Sequence, residues 1–180
     1  MRVITGTARG IQLKTPEGNL TRPTTDRVKE AMFSIIHFDI PGASVLDLFG
    51  GTGQLGIEAL SRGASTAVFV DGNEKACGLI RENLKRTKLE NKGRVVRSDY
   101  LDYLKRCREH YDIILLDPPY AEVFLENSLK CISEIDILET GGIIVTERPL
   151  GKELPWEFEG FQRSKDYKYG NTLLTIYRKM

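Results

Sequence analysis

From Ser44 onward, short apolar runs alternate with stretches in which apolar residues recur every three or four positions. Continuous runs bounded by turn residues read as buried strands, and the longer periodic stretches read as amphipathic helices. The pattern predicts strands over 45–48, 66–70, 94–97, 111–116 and 142–146, separated by helices over 54–62, 74–87, 100–108 and 123–133. Strands alternating with helices imply a parallel sheet joined by crossover helices. Upstream, Val28, Ala31, Met32, Ile35 and Ile36 form a helix stripe. Pro23 stops any earlier element, Thr24 or Thr25 can cap this helix, and Pro41-Gly42 ends it. Val3-Ile4-Thr5 and Ile11-Gln12-Leu13 flank a glycine-bounded turn and predict a short β-hairpin. A second hairpin is expected from 162–169 and 172–178, turning at Gly170-Asn171.

A chain of 180 residues with 41% hydrophobic content can bury one substantial core but not two large ones. No apolar stretch approaches the ~20 residues that cross a bilayer. The first residues lack an apolar signal core, so a cytoplasmic location is expected, with no membrane association. Cys77, Cys107 and Cys131 are odd in number and share no ligand spacing. They read as reduced core residues, His37 and His110 stand apart, and no metal site is expected.

The net charge of +1 excludes a generally basic coat for nucleic acid. Its distribution is more informative. Residues 1–24 hold Arg2, Arg9, Lys14 and Arg22 against Glu17 alone, a local +3. These residues form an expected basic extension, with a catalytic unit over 25–180. A second basic run from Lys75 to Arg97 is interrupted by Glu74, Glu82 and Glu90 at helical spacing, and reads as a solvated helix.

Two motifs carry candidate chemistry. Val45-Leu46-Asp47-Leu48-Phe49 leads into Gly50-Gly51-Thr52-Gly53-Gln54-Leu55-Gly56, a strand, a glycine-rich turn and the start of a helix. Gly51, Gly53 and Gly56 fit the dinucleotide spacing, with Asp71 about 20 residues on. That spacing alone also suits NAD. Asp47 argues against it, because an acid ahead of the glycines repels a pyrophosphate and attracts a cationic amino acid moiety. Asp47 could equally be a structural turn acid. Asp71 next to Gly72 fits ribose hydroxyls or a cap for the following helix. Ser98-Asp99-Tyr100 closes the third strand, and Asp99 can meet an adenine amine or cap the next helix. The second motif is Asp117-Pro118-Pro119-Tyr120, directly after Ile113-Ile114-Leu115-Leu116. At the carboxyl end of a parallel strand, carboxylate and carbonyl oxygens can accept both hydrogens of an exocyclic amine while Tyr120 stacks on its ring. Asp117 as a helix cap is the competing reading.

Asp47, Asp71, Asp99 and Asp117, each at or just past a strand end, resemble the set in class I S-adenosylmethionine-dependent methyltransferases. The basic N-terminal hairpin, the Arg22-to-Phe33 segment, Leu46-to-Gly53 and Asp117-to-Tyr120 follow in that order. Together they resemble the bacterial small-subunit ribosomal RNA (guanine-N2)-methyltransferases of the RsmD type, over nearly the whole chain. The resemblance implies an α/β, Rossmann-like class I methyltransferase fold: a mostly parallel seven-stranded sheet, last strand antiparallel, flanked by helices and preceded by an N-terminal β-hairpin. It implies S-adenosyl-L-methionine held by Asp47, Phe49, Gly50, Gly51, Thr52, Gly53, Asp71, Gly72, Ser98, Asp99 and Tyr100. Catalysis would fall to Asp117, Pro118, Pro119 and Tyr120, without a metal. The expected substrate is 16S rRNA in an assembled or assembling small ribosomal subunit, met by a monomer through Arg2, Arg9, Lys14, Arg22, Thr24 and Arg27. Arg22 and Arg27 could instead neutralise neighbouring acids. A DNA adenine-N6 methyltransferase, a glutamine methyltransferase and a non-enzymatic nucleotide-binding module remain rival readings. The DNA enzyme needs a base-reading surface for which little chain remains after Pro149.

Overall fold

The structure is a computed structural model that describes residues 1–18, 25–119, 121–151 and 153–180, with the backbone alone at 121 and 122. Among the described residues one eight-stranded sheet runs β3-β2-β1-β4-β5-β8-β7-β6. Its strands are β1 (Ser44–Asp47), β2 (Thr66–Asp71), β3 (Gly93–Arg97), β4 (Tyr111–Leu116), β5 (Leu138–Pro149), β6 (Glu157–Phe158), β7 (Phe161–Tyr169) and β8 (Thr172–Lys179). β1 to β5 are mutually parallel, and β8 enters antiparallel to β5. The two-residue β6 adds an eighth strand at the edge to the seven that the pattern implies. The helices are α1 (Asp26–Ile35), α2 (Gln54–Ser61), α3 (Glu74–Arg86), α4 (Tyr100–Arg106) and α5 (Ala121–Ile135). Among the described residues no helix is long and apolar enough to cross a membrane.

β1, β2 and β4 are apolar on both faces, and their residues alternate between two cores. Val45, Phe69, Ile113 and Leu115 join α1, α2, α3 and the N-terminal segment. Leu46, Val70, Ile114 and Leu116 join α4 and α5. This two-sided burial explains why the parallel strands read as unbroken hydrophobic runs. Thr25 supplies the cap of α1, its hydroxyl accepting the Val28 amide at 3.3 Å.

Several elements differ in length from their sequence pattern, β5 and the N-terminal hairpin most plainly. β5 runs from Leu138 to Pro149, beyond the expected 142–146 at both ends. Gly141 takes φ +76°, and the strand continues past it with a register irregularity against β4. The N-terminal hairpin closes through one bridge, Arg2 to Gln12, supported by Val3 N–H to the Ile11 carbonyl at 3.0 Å. Its ladder stops there because the Ile4 and Thr5 amides turn inward to the Glu58 carboxylate, both at 3.0 Å. Val3, Ala8 and Leu13 are buried in the first core.

Candidate active site

In a parallel sheet all carboxyl ends share one edge, and ligands bind where the strand order reverses. Here that point lies between β1 and β4, which flank each other in register from Val45–Ile113 to Asp47–Leu115. β1 delivers Asp47 and the glycine turn; β4 delivers Asp117, Pro118 and Pro119. Asp117 is half-buried, Pro118 buried and Pro119 exposed. Neither proline has an N–H, so their backbone can only accept hydrogen bonds. Tyr120 lies outside the described residues.

The glycine turn folds back toward β2. The Gly50 amide donates to the Val70 carbonyl at 2.8 Å, and the Gly51 amide to Asp71 Oδ2 at 2.9 Å. Asp71 Oδ1 accepts the Asn73 amide, while Asn73 itself caps α3 through Lys75 and Ala76. Gly53 takes φ +83° as the residue entering α2, a conformation that favours glycine. A side chain at Gly56 would stand 2.3 Å from the Phe69 ring, so this glycine sets the distance between α2 and β2.

Asp47 is buried and accepts the Gly56 amide at 3.0 Å. Burial, with Asp117 and Asp71 nearby, pushes its carboxyl up to about 8, against the downward pull of the Gly56 bond. Three acids thus lie near one another at the switch point. The Gln54 Oε1 atom, buried at the start of α2, accepts no hydrogen bond among the described residues. A cationic ligand fits this set. A sulfonium bearing an amino acid group would relieve the repulsion that a pyrophosphate would worsen. Among the described residues no cluster of His, Cys, Asp or Glu could hold a metal ion.

At the third strand, Asp99 Oδ1 caps α4 by accepting the Leu101 and Asp102 amides at 2.9 and 3.2 Å. The capping alternative is therefore realised, and Oδ2 stays at an exposed position. Gly72 lies beside Ser98, whose carbonyl would be 3.7 Å from a side chain there. Tyr100, Phe49 and Phe124 form an aromatic cluster, with centroids 5.1, 6.0 and 5.2 Å apart. Phe124 escapes a motif reading; its signal is its place in the sequence four positions after Tyr120.

Of the basic candidates, Arg2 pairs with Asp26 at 3.2 Å and Lys14 with Glu82 at 3.0 Å, both exposed. Such pairs contribute at most ~1 kcal/mol and open readily to a better anion. Arg9 and Arg27 are exposed. Arg22 and Thr24 lie outside the described residues. Two buried polar residues absent from any motif organise the region. Asn83 donates from Nδ2 to the Thr52 and Lys14 carbonyls, both at 2.9 Å, and its Oδ1 accepts the Lys14 amide at 2.7 Å. One carboxamide thereby joins the N-terminal segment to the glycine turn. Glu58 accepts from Ile4, Thr5 and Arg62, and lies 3.7 Å from Lys29. The Lys29 ammonium donates to the Arg2 carbonyl at 2.6 Å, and burial lowers its pKa. A polar residue within an apolar helix stripe was the available signal for both Asn83 and Glu58.

The family model described as "Conserved hypothetical protein 95" matches residues 1–178. The Bacillus subtilis (strain 168) protein YlbH, whose name proposes an rRNA methyltransferase, is 41% identical over 99% of each chain. The Escherichia coli (strain K12) protein named ribosomal RNA small subunit methyltransferase D is 30% identical, over 99% of this chain and 90% of its own. Among solved structures, the Escherichia coli protein yhhF, described as a proposed methyltransferase, superposes with a TM-score of 0.90 at 28% identity. That match spans 99% of this chain and 97% of the other.

Proposed function

The chain belongs to the Conserved hypothetical protein 95 family, a family of methyltransferases, and we propose that it methylates the exocyclic N2 amine of one guanine in small-subunit (16S) ribosomal RNA. The observation that carries this reading is the placement of Asp117-Pro118-Pro119 across the switch point from the glycine turn, with Asp47 and Asp71 close enough for their charges to act on one another. The relatives' names support ribosomal RNA as the substrate class. S-adenosylmethionine, when bound, supplies an electrophilic methyl on a cationic sulfur. In this assignment Asp47 and the glycine turn hold its amino acid end, Asp71 the ribose, and Ser98, Asp99 and Tyr100 the adenine end.

A guanine amine is a weak nucleophile because its lone pair is delocalised into the ring. Asp117 Oδ and the Pro118 carbonyl accept its two hydrogens, favouring a pyramidal nitrogen with its lone pair directed at the methyl. Tyr120 stacks on the base and fixes its plane. Alignment of this kind provides effective molarities of ~10⁵ M or more, so no strong base is needed. The proton leaves after transfer, when the nitrogen is cationic. A target guanine must be flipped from its stack to reach this edge. The N-terminal segment, with Arg2, Arg9, Lys14, Arg22, Thr24 and Arg27, is assigned to RNA contact, in a cytoplasmic monomer acting on an assembled or assembling subunit.

Mass spectrometry of ribosomal RNA from cells lacking this protein tests the reading. One N2-methylguanine should be missing, restored by the wild-type gene and not by Asp117→Ala. An unchanged set of N2-methylguanines overturns it.

A further inference from the structure

The far edge of the sheet carries aromatic and basic side chains that the proposed chemistry does not use. Tyr169 lies opposite Thr172 across the β7–β8 turn, and Thr172 also pairs with Pro149 at the carboxyl end of β5. The Leu150 amide donates to the Asn171 carbonyl at 3.0 Å. This turn therefore stands at the same end of the sheet as Asp117. β4, β5, β8 and β7 are successive neighbours. Three strand spacings place β7 about 14 Å from the strand that delivers Asp117.

Residues directly opposite in an antiparallel pair share a face. Lys165 lies opposite Ile176 and Tyr167 opposite Leu174, which puts Lys165, Tyr167 and Tyr169 in one row on the face of the first core. Both tyrosines are half-buried against that core. The Lys165 ammonium lies 5.0 Å from the centre of the Tyr167 ring. Lys168 is exposed on the opposite face. β6 pairs only with the first two residues of β7, so from Ser164 to Tyr169 the outer side of β7 has no strand among the described residues. Arg163 is neutralised by Asp166 at 3.0 Å and Glu153 at 3.3 Å. Lys165 and Lys168 have no carboxylate partner among the described residues, and between Ser164 and Tyr169 they outnumber the single acid, Asp166.

We propose that this edge is a second RNA-contact surface. Lys165 and Lys168 bind phosphates of the strand flanking the target base, and Tyr169 stacks on a neighbouring base. The inference rests on ribosomal RNA being the substrate. Single-stranded nucleic acid is bound by cations that track its backbone together with rings on which bases stack. A purely anionic partner would use the lysines alone; the tyrosines beside them favour a ligand carrying both phosphates and aromatic bases. Flipping a base also leaves its flanking strand to be restrained. The N-terminal segment and the β7–β8 turn would do so from two sides of Asp117.

The test is methyl transfer from labelled S-adenosylmethionine to small ribosomal subunits purified from cells lacking this protein, at several salt concentrations. It compares wild type, Lys165→Ala/Lys168→Ala, Lys165→Arg/Lys168→Arg and Tyr169→Leu, with thermal melting and cofactor titration alongside. The double alanine variant should raise KM for subunits about tenfold and flatten the log–log salt slope by ~0.7 per lost contact. Its kcat, melting and cofactor affinity should stay near wild type, and the double arginine variant should restore KM. Tyr169→Leu should raise KM with little change in salt slope. A double alanine variant matching wild type in KM and slope overturns the second surface and leaves the methyl-transfer reading intact. Absence of transfer by wild type overturns the substrate reading, and the second surface with it.

Discussion

The Asp47 carboxylate accepts the Gly56 amide at 3.0 Å, tying the last residue of β1 to the first turn of α2 across the glycine turn. Gly53 offers α2 no side-chain cap, so Asp47 supplies the acceptor that a capping side chain would. The positive end of a helix favours an ionised acid. Burial and the fields of Asp117 and Asp71 outweigh it, and the carboxyl is pushed up to about 8.

A folded-state pKa above the ordinary carboxylate value means that the folded protein holds this proton. The associated stability is complete below the ordinary value and is lost as pH rises through about 8. A cation bound beside Asp47 reverses the preference. Cofactor binding should therefore release close to one proton near pH ~7 and almost none above pH ~9. Calorimetry in two buffers of different ionisation heat measures this directly. Asp47→Asn should abolish the release; a release that persists would assign the proton to another group.

Asp117→Ala should abolish methyl transfer and leave S-adenosylmethionine affinity within a few-fold, because its proposed partner is the amine. Loss of such a positioned acceptor raises the barrier by about 3 kcal/mol or more. Asp71→Asn should do the opposite, weakening cofactor roughly tenfold by replacing a charged acceptor with a neutral one. Single-turnover rates and cofactor titration on both variants separate the roles. Cofactor binding lost in Asp117→Ala but kept in Asp71→Asn would reverse the assignment.

Glu58→Leu should be among the most destabilising single changes in the chain. Both Glu58 and Lys29 side chains are fully buried. Removing the acid strands the Lys29 cation and leaves the Ile4 and Thr5 amides without their acceptor. Breaking a buried pair in this way costs about 3–5 kcal/mol. Urea unfolding provides the value, and a loss below about 1 kcal/mol would show that water replaces the carboxylate.

Two glycine-to-alanine changes should have opposite signs. At Gly56 the new carbon would meet the buried Phe69 ring at 2.3 Å. Overpacking of this kind costs about 1–3 kcal/mol. Gly78, exposed on α3 with open space around it, should gain about 0.5–1 kcal/mol from alanine. Thermal melting of the two variants in parallel reads both signs.

Where the acids of the candidate site gather follows from the sequence, because it depends on chain direction alone. Asp47, Asp71, Asp99 and Asp117 each stand at or just past a strand end, and parallel strands bring all such ends to one edge. The glycine spacing and the two prolines likewise act through local backbone geometry. Residue pattern reports which face of an element is apolar, and it carries no information about which distant group meets a buried polar atom. The Asn83 amide finds Lys14 and Thr52, 69 and 31 positions away. The N-terminal hairpin keeps a single bridge because Glu58, more than fifty positions on, takes two of its amides. Asp99 could have capped a helix or faced a ligand with both oxygens, and the path of the chain into α4 assigned one oxygen to the cap. Buried polar groups must be satisfied wherever a partner is near, and nearness between remote segments is decided only when the two cores close around the sheet.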